Sequence, residues 1–333
     1  MTSQPLYNAE VDPKSSLFKG LKDNLISIQG DLVKLEHLAP TFLISDSKSG
    51  EEIIEYVCAN VGKQIRPSLF LMCSQLVGYK GLHLYPMALV GEFVHNASLL
   101  HDDVVDDSPL RRNKPTPKVM WGTESAVLVG DLIYSTASEL MARTGIMEIV
   151  ASYARAIRLM SDGELIQLDH LYDLNISLDT YLTIVSYKTA ELLGTVCKSA
   201  ALLANRTPEE IEALYQFGNN IGKSFQIIDD ALDYLSSTEN MGKNTQSDLK
   251  DGKVTYPIIL LRDVCQPAEW ELVVKGSTVE ILKLMEKHDI VSETLKFARA
   301  FTEQAKNNLQ IFPDSKERQA LEKIAHQLLL RTV

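Results

Sequence analysis

Glycine and proline are scarce, at 17 and 12 of 333 residues, against usual shares of ~7% and ~5%. That shortage excludes a collagen-like, low-complexity or disordered chain. Cysteine is scarcer still. Cys58, Cys73, Cys197 and Cys265 are scattered, without a CxxC pair or a histidine at metal spacing, and read as reduced core thiols of a cytoplasmic protein. No arginine precedes Arg66, which argues against an Arg-rich organellar leader, and the first twenty residues lack the apolar run of a secretory signal. No stretch approaches the ~18 consecutive apolar residues of a membrane span. Positive charge is also in deficit, with a net charge of −11, which excludes a nucleic-acid-coating surface. Strand-like alternation and Asn-Gly hairpin signals are absent.

What is present is helical. Hydrophobic residues at 45% and charged residues at 23% suit a soluble globular protein with an ample core. Phe18, Leu21, Leu25, Ile28, Leu32 and Leu35 recur at 3, 4, 3, 4, 3 and form one helix stripe. A polar loop follows at 45–50. The pattern predicts helices over roughly 51–60, 66–77, 86–105, 123–144, 147–170, 178–204 and 208–236. Thr207-Pro208-Glu209-Glu210 opens the last of these as a capping box with proline at the first helical position. Shorter helices fill 255–311, and Asp314 with Glu317 is expected to cap a final one at 315–331. No Pro-, Gly- or Ser-rich linker divides the chain, so the reading is one all-α domain of long helices around a common core.

Two acidic motifs carry chemistry. LLHDDVVDD at 99–107 and QIIDDALDY at 226–234 share one form, apolar-apolar-x-Asp-Asp-x-x-Asp. Residues four apart differ by ~40° around a helix axis, so Asp102 and Asp106 lie on one face, with Asp103 flanking. Asp229, Asp230 and Asp233 repeat the arrangement. Like charges one turn apart are unfavourable, and here they interrupt apolar helices, so they call for a cation. Carboxylate oxygens on rigid turns suit Mg²⁺, bound through one or two carboxylates plus substrate phosphates. One such motif is ordinarily a solvated acidic face; two copies are far less expected by chance, and facing each other they would form a diphosphate–metal clamp.

Cations accompany them. Lys63 and Arg66 lie in GKQIRP at 62–67, Arg111 and Arg112 follow the first motif, Lys188 interrupts an apolar helix, and Lys243 and Lys253 follow the second motif. Any one lysine is by default a solvated charge. In an acidic protein, cations placed around two acidic clusters point to one diphosphate held through metal and another held directly by Arg and Lys.

GKQIRP at 62–67, HDDVVDDSPLRRNKPT at 101–116, GDLIY at 130–134, KT at 188–189, FQIIDDALDY at 225–234 and the GK and DLKDGKVTYP segments within 242–257 resemble the trans-prenyl diphosphate synthases. The resemblance is nearest to the long-chain, octaprenyl-type members that make quinone side chains, and it covers residues 50 to 260 in the family's order. It implies a helical bundle around a deep central cavity, usually a homodimer, using Mg²⁺. By it, Asp102, Asp103 and Asp106 hold metal on the allylic diphosphate, and Asp229, with Asp230 and Asp233, holds another. Lys63, Arg66, His95 and Arg112 match positions that bind isopentenyl diphosphate. Arg111, Lys188, Thr189, Gln226 and Lys243 match positions that contact the allylic substrate, farnesyl diphosphate in the first place. Without the resemblance, His95 reads as a satisfied core histidine. Val61 and Gln64 depart from the family's GGKRxRP, and Asn113 stands where glycine is frequent.

Product length follows from geometry. A chain growing along the first-motif helix passes Ser98 and Ala97 one turn before Asp102, then Val94. Short-chain members carry an aromatic side chain near there; both residues here are small, which leaves the path open to a long product. Ser138, Met141 and Ala142 on the 123–144 helix are candidates for its floor. Three rivals stay open: a short-chain synthase, a noncatalytic partner subunit, and a terpene cyclase, which has no use for the Lys63 and Arg66 site. A very apolar product suggests transient membrane contact, though no basic amphipathic helix or lipidation signal marks one.

Overall fold

The computed structural model describes residues 26–60, 62–239, 247–276 and 278–329. Lys243 lies outside the described residues, as do Phe18, Leu21 and Leu25 of the N-terminal stripe. A short 3₁₀ turn at Ile26–Ile28 leads into α1 (Gln29–Phe42), followed by α2 (Lys48–Ala59), α3 (Ile65–Leu76) and α4 (Leu84–Val105). Then come two short strands, β1 (Leu110–Arg111) and β2 (Lys114–Pro115), and helices α5 (Pro117–Trp121), α6 (Thr123–Ala142) and α7 (Met147–Asp169). Helices α8 (Leu178–Val185) and α9 (Glu191–Leu203) are joined without a break by a π-helical turn at Ser186–Ala190. The longest helix, α10, runs Pro208–Glu239. The C-terminal part comprises α11 (Ser247–Lys250), α12 (Tyr256–Val264), α13 (Pro267–Val274), α14 (Thr278–Lys287), α15 (Ile290–Asn308) and α16 (Lys316–Leu329).

The expected helices are present, and their ends show why they start where they do. At α10 the Thr207 hydroxyl accepts from Glu210 N at 3.4 Å, and Glu210 Oε2 accepts from Thr207 N at 3.1 Å, a reciprocal capping box. Helix α2 begins inside the expected polar loop because Ser47 caps it, accepting from Gly50 N. The cap of α16 is Ser315 rather than Asp314. Its hydroxyl accepts from Arg318 N at 3.1 Å, while Asp314 pairs sideways with Arg318 and Gln319.

One small element carries no signal in the sequence: a hairpin of two-residue strands is present within the all-α fold. Leu110 pairs with Pro115 and Arg111 with Lys114, leaving Arg112 and Asn113 as a two-residue turn with φ of 53° and 61°. Positive φ at both positions is the type I′ geometry. Asparagine tolerates it where glycine was the expected residue. An arginine held there costs about 1–2 kcal/mol, so the signal was invisible to a search for Asn-Gly.

Two apolar cores organise the helices. The larger joins α1–α4, α6, α7 and α9 through residues such as Phe70, Phe93, Tyr153 and Leu192. The smaller joins α8, α12, α14 and α15 through Ile184, Leu261, Met285 and Ala298. Helix α10 threads both, giving Leu214, Phe217 and Ile221 to the first and Ile227, Ile228 and Tyr234 to the second. Ile28 and Leu35 of the expected N-terminal stripe are fully buried in the larger core. Among the described residues, no helix is long and apolar enough to cross a membrane.

Candidate active site

Helix α4 ends on the first acidic motif. Asp102 is half-buried, Asp103 is buried, and Asp106 is the exposed C-terminal cap. Asp103 turns inward, and its Oδ1 accepts from Arg111 Nε at 2.8 Å. Burial pushes Asp103 up and the arginine opposes it. Asp102 is pushed up to about 6, first by burial and then by the Glu164 carboxylate, with Lys188 pulling the other way.

The hairpin also brings its arginines toward α3 and α4. Arg66 on the first turn of α3, His95 on α4 and Arg112 at the hairpin tip converge. Burial lowers Arg66, and Arg112 adds to the effect while Glu92 opposes it. Burial, then Arg66, Arg112 and Arg111, hold His95 well below its ordinary value, so it is neutral at pH 7. The Nε of Arg66 is buried and makes no hydrogen bond. Clustered cations with an unsatisfied donor make a place for an anion. Gly62 leaves room for this guanidinium: a Cβ on it would lie 2.4 Å from Arg112 Nη2, the flexible end of the side chain. Arg112 in turn donates from Nη1 to the Asn60 carbonyl at 2.8 Å. Lys63 is exposed beside this cluster.

The second motif sits on α10, where the helix passes between the two cores. Asp229 and Asp233 are half-buried and Asp230 is buried. Both oxygens of Asp230 are engaged, Oδ2 by the Tyr181 hydroxyl at 2.6 Å and Oδ1 by Gln226 Nε2 at 2.9 Å. Gln226 Oε1 then accepts from Thr189 at 2.9 Å, so the chain Thr189–Gln226–Asp230–Tyr181 is continuous. Asp230 is pushed up to about 7, mainly by burial and then by Asp248. Asp233 Oδ2 accepts from Asp248 N at 3.3 Å.

Two lysines join the motifs. Lys253 Nζ lies 3.8 Å from Asp106 Oδ2 and also opposes the upward push on Asp248 beside the second motif. Lys188 acts on Asp102 and on Asp248 alike, and pairs with Glu164 and Gln167 of α7. The motifs are therefore linked through these two lysines, and beside the second motif lies a cavity of about 160 Å³ whose lining includes Lys188, Thr189, Gln226, Asp230, Asp248 and Lys253. Lys188 and Thr189 lie within the π turn, the kind of helix irregularity that concentrates at functional sites. Gly163 lets α7 meet that turn, since a Cβ there would lie 2.9 Å from Lys188 Cγ.

These donors fit a hard divalent cation. Asp102, Asp230 and Asp248 are pushed toward protonation by burial and by neighbouring carboxylates, a repulsion that a bound cation offsets. Among the described residues, no three carboxylates of the two motifs lie within one ion's coordination sphere. Each motif thus brings at most two carboxylates to one point, a donor set that could hold a divalent cation whose remaining positions are filled by phosphate oxygens and water.

A family model described as polyprenyl synthetase matches residues 47–288. The chain belongs to the polyprenyl synthetase family. This synthetase is 33% identical to octaprenyl diphosphate synthase of Escherichia coli over 294 residues, 85% of this chain and 90% of that one. It is 36% identical to chloroplastic solanesyl diphosphate synthase 1 of Arabidopsis thaliana over 91% of this chain and 73% of that protein. Among solved structures, a decaprenyl diphosphate synthase from Rhodobacter capsulatus superposes with a TM-score of 0.88 at 31% identity, covering 94% and 99% of the two chains. A polyprenyl synthase from Caulobacter crescentus, complexed with calcium and isoprenyl diphosphate, superposes with a TM-score of 0.85 at 34% identity, covering 93% and 97%.

Motif reading missed four residues of the synthetase site. Glu164 and Gln167 lie at i, i+3 on α7, next to a helical glycine, a signal too weak to find alone. Tyr181 precedes the π turn in an apolar run and looks like core. Asp248 was present in the DLKDGK stretch but carried no repeat to mark it. The chain-length positions are placed unevenly. Ala97 is fully buried in the larger core, whereas Ser98 is half-buried and donates to its own helix at His95 O. Ser138 and Ala142 are exposed on this chain and do not form an internal floor; only Met141 is buried.

Proposed function

We propose that this synthetase makes a long-chain all-trans polyprenyl diphosphate by joining isopentenyl diphosphate head-to-tail to an allylic diphosphate such as farnesyl diphosphate. The observation that carries this reading is the juxtaposition of two unlike anion sites. One is the pair of acidic motifs facing across Lys188 and Lys253; the other is the cluster of the Arg66 and Arg112 guanidinium groups around neutral His95. A terpene cyclase needs the first only. The intact acidic and basic residues disfavour a noncatalytic subunit. The octaprenyl, solanesyl and decaprenyl names of the relatives support a long product.

In this scheme Asp102, Asp106, Asp229 and Asp233 would hold Mg²⁺, which supplies Lewis-acid stabilisation of the diphosphate leaving group. Asp103 anchors Arg111, and Asp230 orients Gln226; both act through the residue they hold. Arg111, Lys188, Thr189, Gln226, Lys243 and Lys253 surround the allylic diphosphate as fixed donors, stabilising its growing charge without reorganisation. Lys63, Arg66, Arg112 and neutral His95 orient isopentenyl diphosphate so that its double bond reaches the allylic carbon. No side chain stands out as the base for the final proton, and the departing pyrophosphate fills that role. We read the whole chain as one catalytic unit, acting in the cytoplasm as a homodimer, with a quinone side chain as the product's destination and brief membrane contact for its release.

The test is a product assay with purified protein, Mg²⁺, farnesyl diphosphate and labelled isopentenyl diphosphate. A ladder ending at one long size supports the reading. Products of three or four units make this a short-chain enzyme, and no product with both substrates and metal present overturns catalysis by this chain alone. Ser98→Phe should shorten the product by one or more units. Ala97→Phe is the poorer probe, because overpacking the core there costs about 1–3 kcal/mol. An unchanged ladder for a folded Ser98→Phe protein removes the α4 face from the product path.

A further inference from the structure

Beyond the second acidic motif in the chain, Cys265, Glu269 and His288 meet in space. One ligand atom from each, a thiol sulfur, a carboxylate oxygen and a ring nitrogen, lies within 4.8 Å of the other two. They come from three places. Cys265 is the C-cap of α12, Glu269 is the N3 residue of the α13 capping box, and His288 follows α14. Sequence spacing hides the group, because cysteine and histidine are separated by the whole of α13 and α14.

We infer that these three residues form a site for a thiophilic divalent cation of the zinc class, with water as fourth ligand. His288 Nε2 and Glu269 Oε2 are 3.2 Å apart, close to the ~3.4 Å edge of a tetrahedral site with metal–ligand bonds near ~2.0–2.2 Å. The Cys265 sulfur lies within 4.8 Å of both, within reach of a shared ion at its ~2.3 Å bond length after a small closure. The supporting contacts are also in place. Glu269 Oε1 pairs with Lys287, and Oε2 accepts from Gln266 N at 2.8 Å, so the carboxylate is held in a fixed direction. Binding a cation here releases the Cys265 thiol proton to solvent and leaves the thiolate on the metal. Sulfur and imidazole select against Mg²⁺, so this site is chemically separate from the all-oxygen motifs. Its place at the junction of α12, α13 and the turn into α15 makes it a clip for the C-terminal layer rather than part of the reaction.

The experiment is a titration of chelator-treated full-length protein with Co²⁺ alone. The expected result is a thiolate-to-cobalt charge-transfer band saturating at one equivalent and bleached by Zn²⁺. Co²⁺ on the acidic motifs gives no such band. Cys265→Ser should abolish the band and retain prenyl transfer with Mg²⁺. His288→Ala should weaken cobalt binding by ~10-fold or more, and Lys287→Ala should tighten it by removing a competing cation. Zn²⁺ should raise the melting temperature of the parent protein and leave Cys265→Ser unmoved. Absence of a thiolate band at cobalt saturation, or its survival in Cys265→Ser, overturns the site, whatever the product assay shows.

Discussion

Replacing Asp102 with alanine is expected to lower kcat by ~10³-fold, the scale of losing a preorganised electrostatic group in an active site. Asp102 is half-buried and shares its surroundings with Glu164, Lys188, Asp106 and Arg111. Its removal leaves Lys188 closed on Glu164, and the first motif loses the carboxylate that faces the second. Asp106, at the exposed helix end, cannot replace it, because it lies one turn away and is already within 3.8 Å of Lys253. The Mg²⁺ concentration for half-maximal rate should rise in the weaker variant Asp102→Asn, which keeps the shape and loses the charge. Steady-state kinetics across a magnesium series read both effects. Near-normal turnover in Asp102→Ala would remove the first motif from the mechanism.

The second large effect is structural. Gly222→Ala should destabilise the fold by about 1–3 kcal/mol through overpacking and should also depress activity. A Cβ on Gly222 would lie 2.4 Å from Ala190 Cα. That neighbour is backbone and cannot rotate away, so α10 must back off the π turn. Gln226, one turn later on α10, would then part from Thr189, to which it is bonded at 2.9 Å. Gly30→Ala is the control. It lies in α1 with nothing within 4 Å of its added Cβ, so the change should be neutral or stabilising by up to ~1 kcal/mol. Thermal melts and kinetics of the two variants separate the ideas. Equal melting temperatures and unchanged rates for Gly222→Ala would show that the α10 approach to the turn is not tight.

In the acidic motifs, residue order alone conveys the pairing but not the division of labour. Asp102 with Asp106, and Asp229 with Asp233, are paired by helix periodicity, and their repetition makes a chance pattern implausible. The different duties of the middle aspartates are not legible. Asp103 and Asp230 look like their neighbours in the chain, yet each is turned into the protein and bonded to Arg111 or to Tyr181 and Gln226. Those partners lie up to 49 residues away in sequence, beyond the reach of any local pattern. The hairpin escapes notice for a related reason. Its turn is made by Arg112 and Asn113 in the left-handed region, where the strain is borne by surrounding contacts rather than announced by glycine.

Residue order was enough to specify the helices, most of their ends and the chemistry class of the site, because helix periodicity, caps and repeated carboxylates are local properties with local causes. It could not say that the two motifs face each other across Lys188 and Lys253, that His95 is neutral, or that Cys265 meets His288. Those depend on burial and on distances between helices far apart in the chain. Such distances are set by close-packed cores, where a missing Cβ at Gly163 or Gly222 decides how near two elements can come.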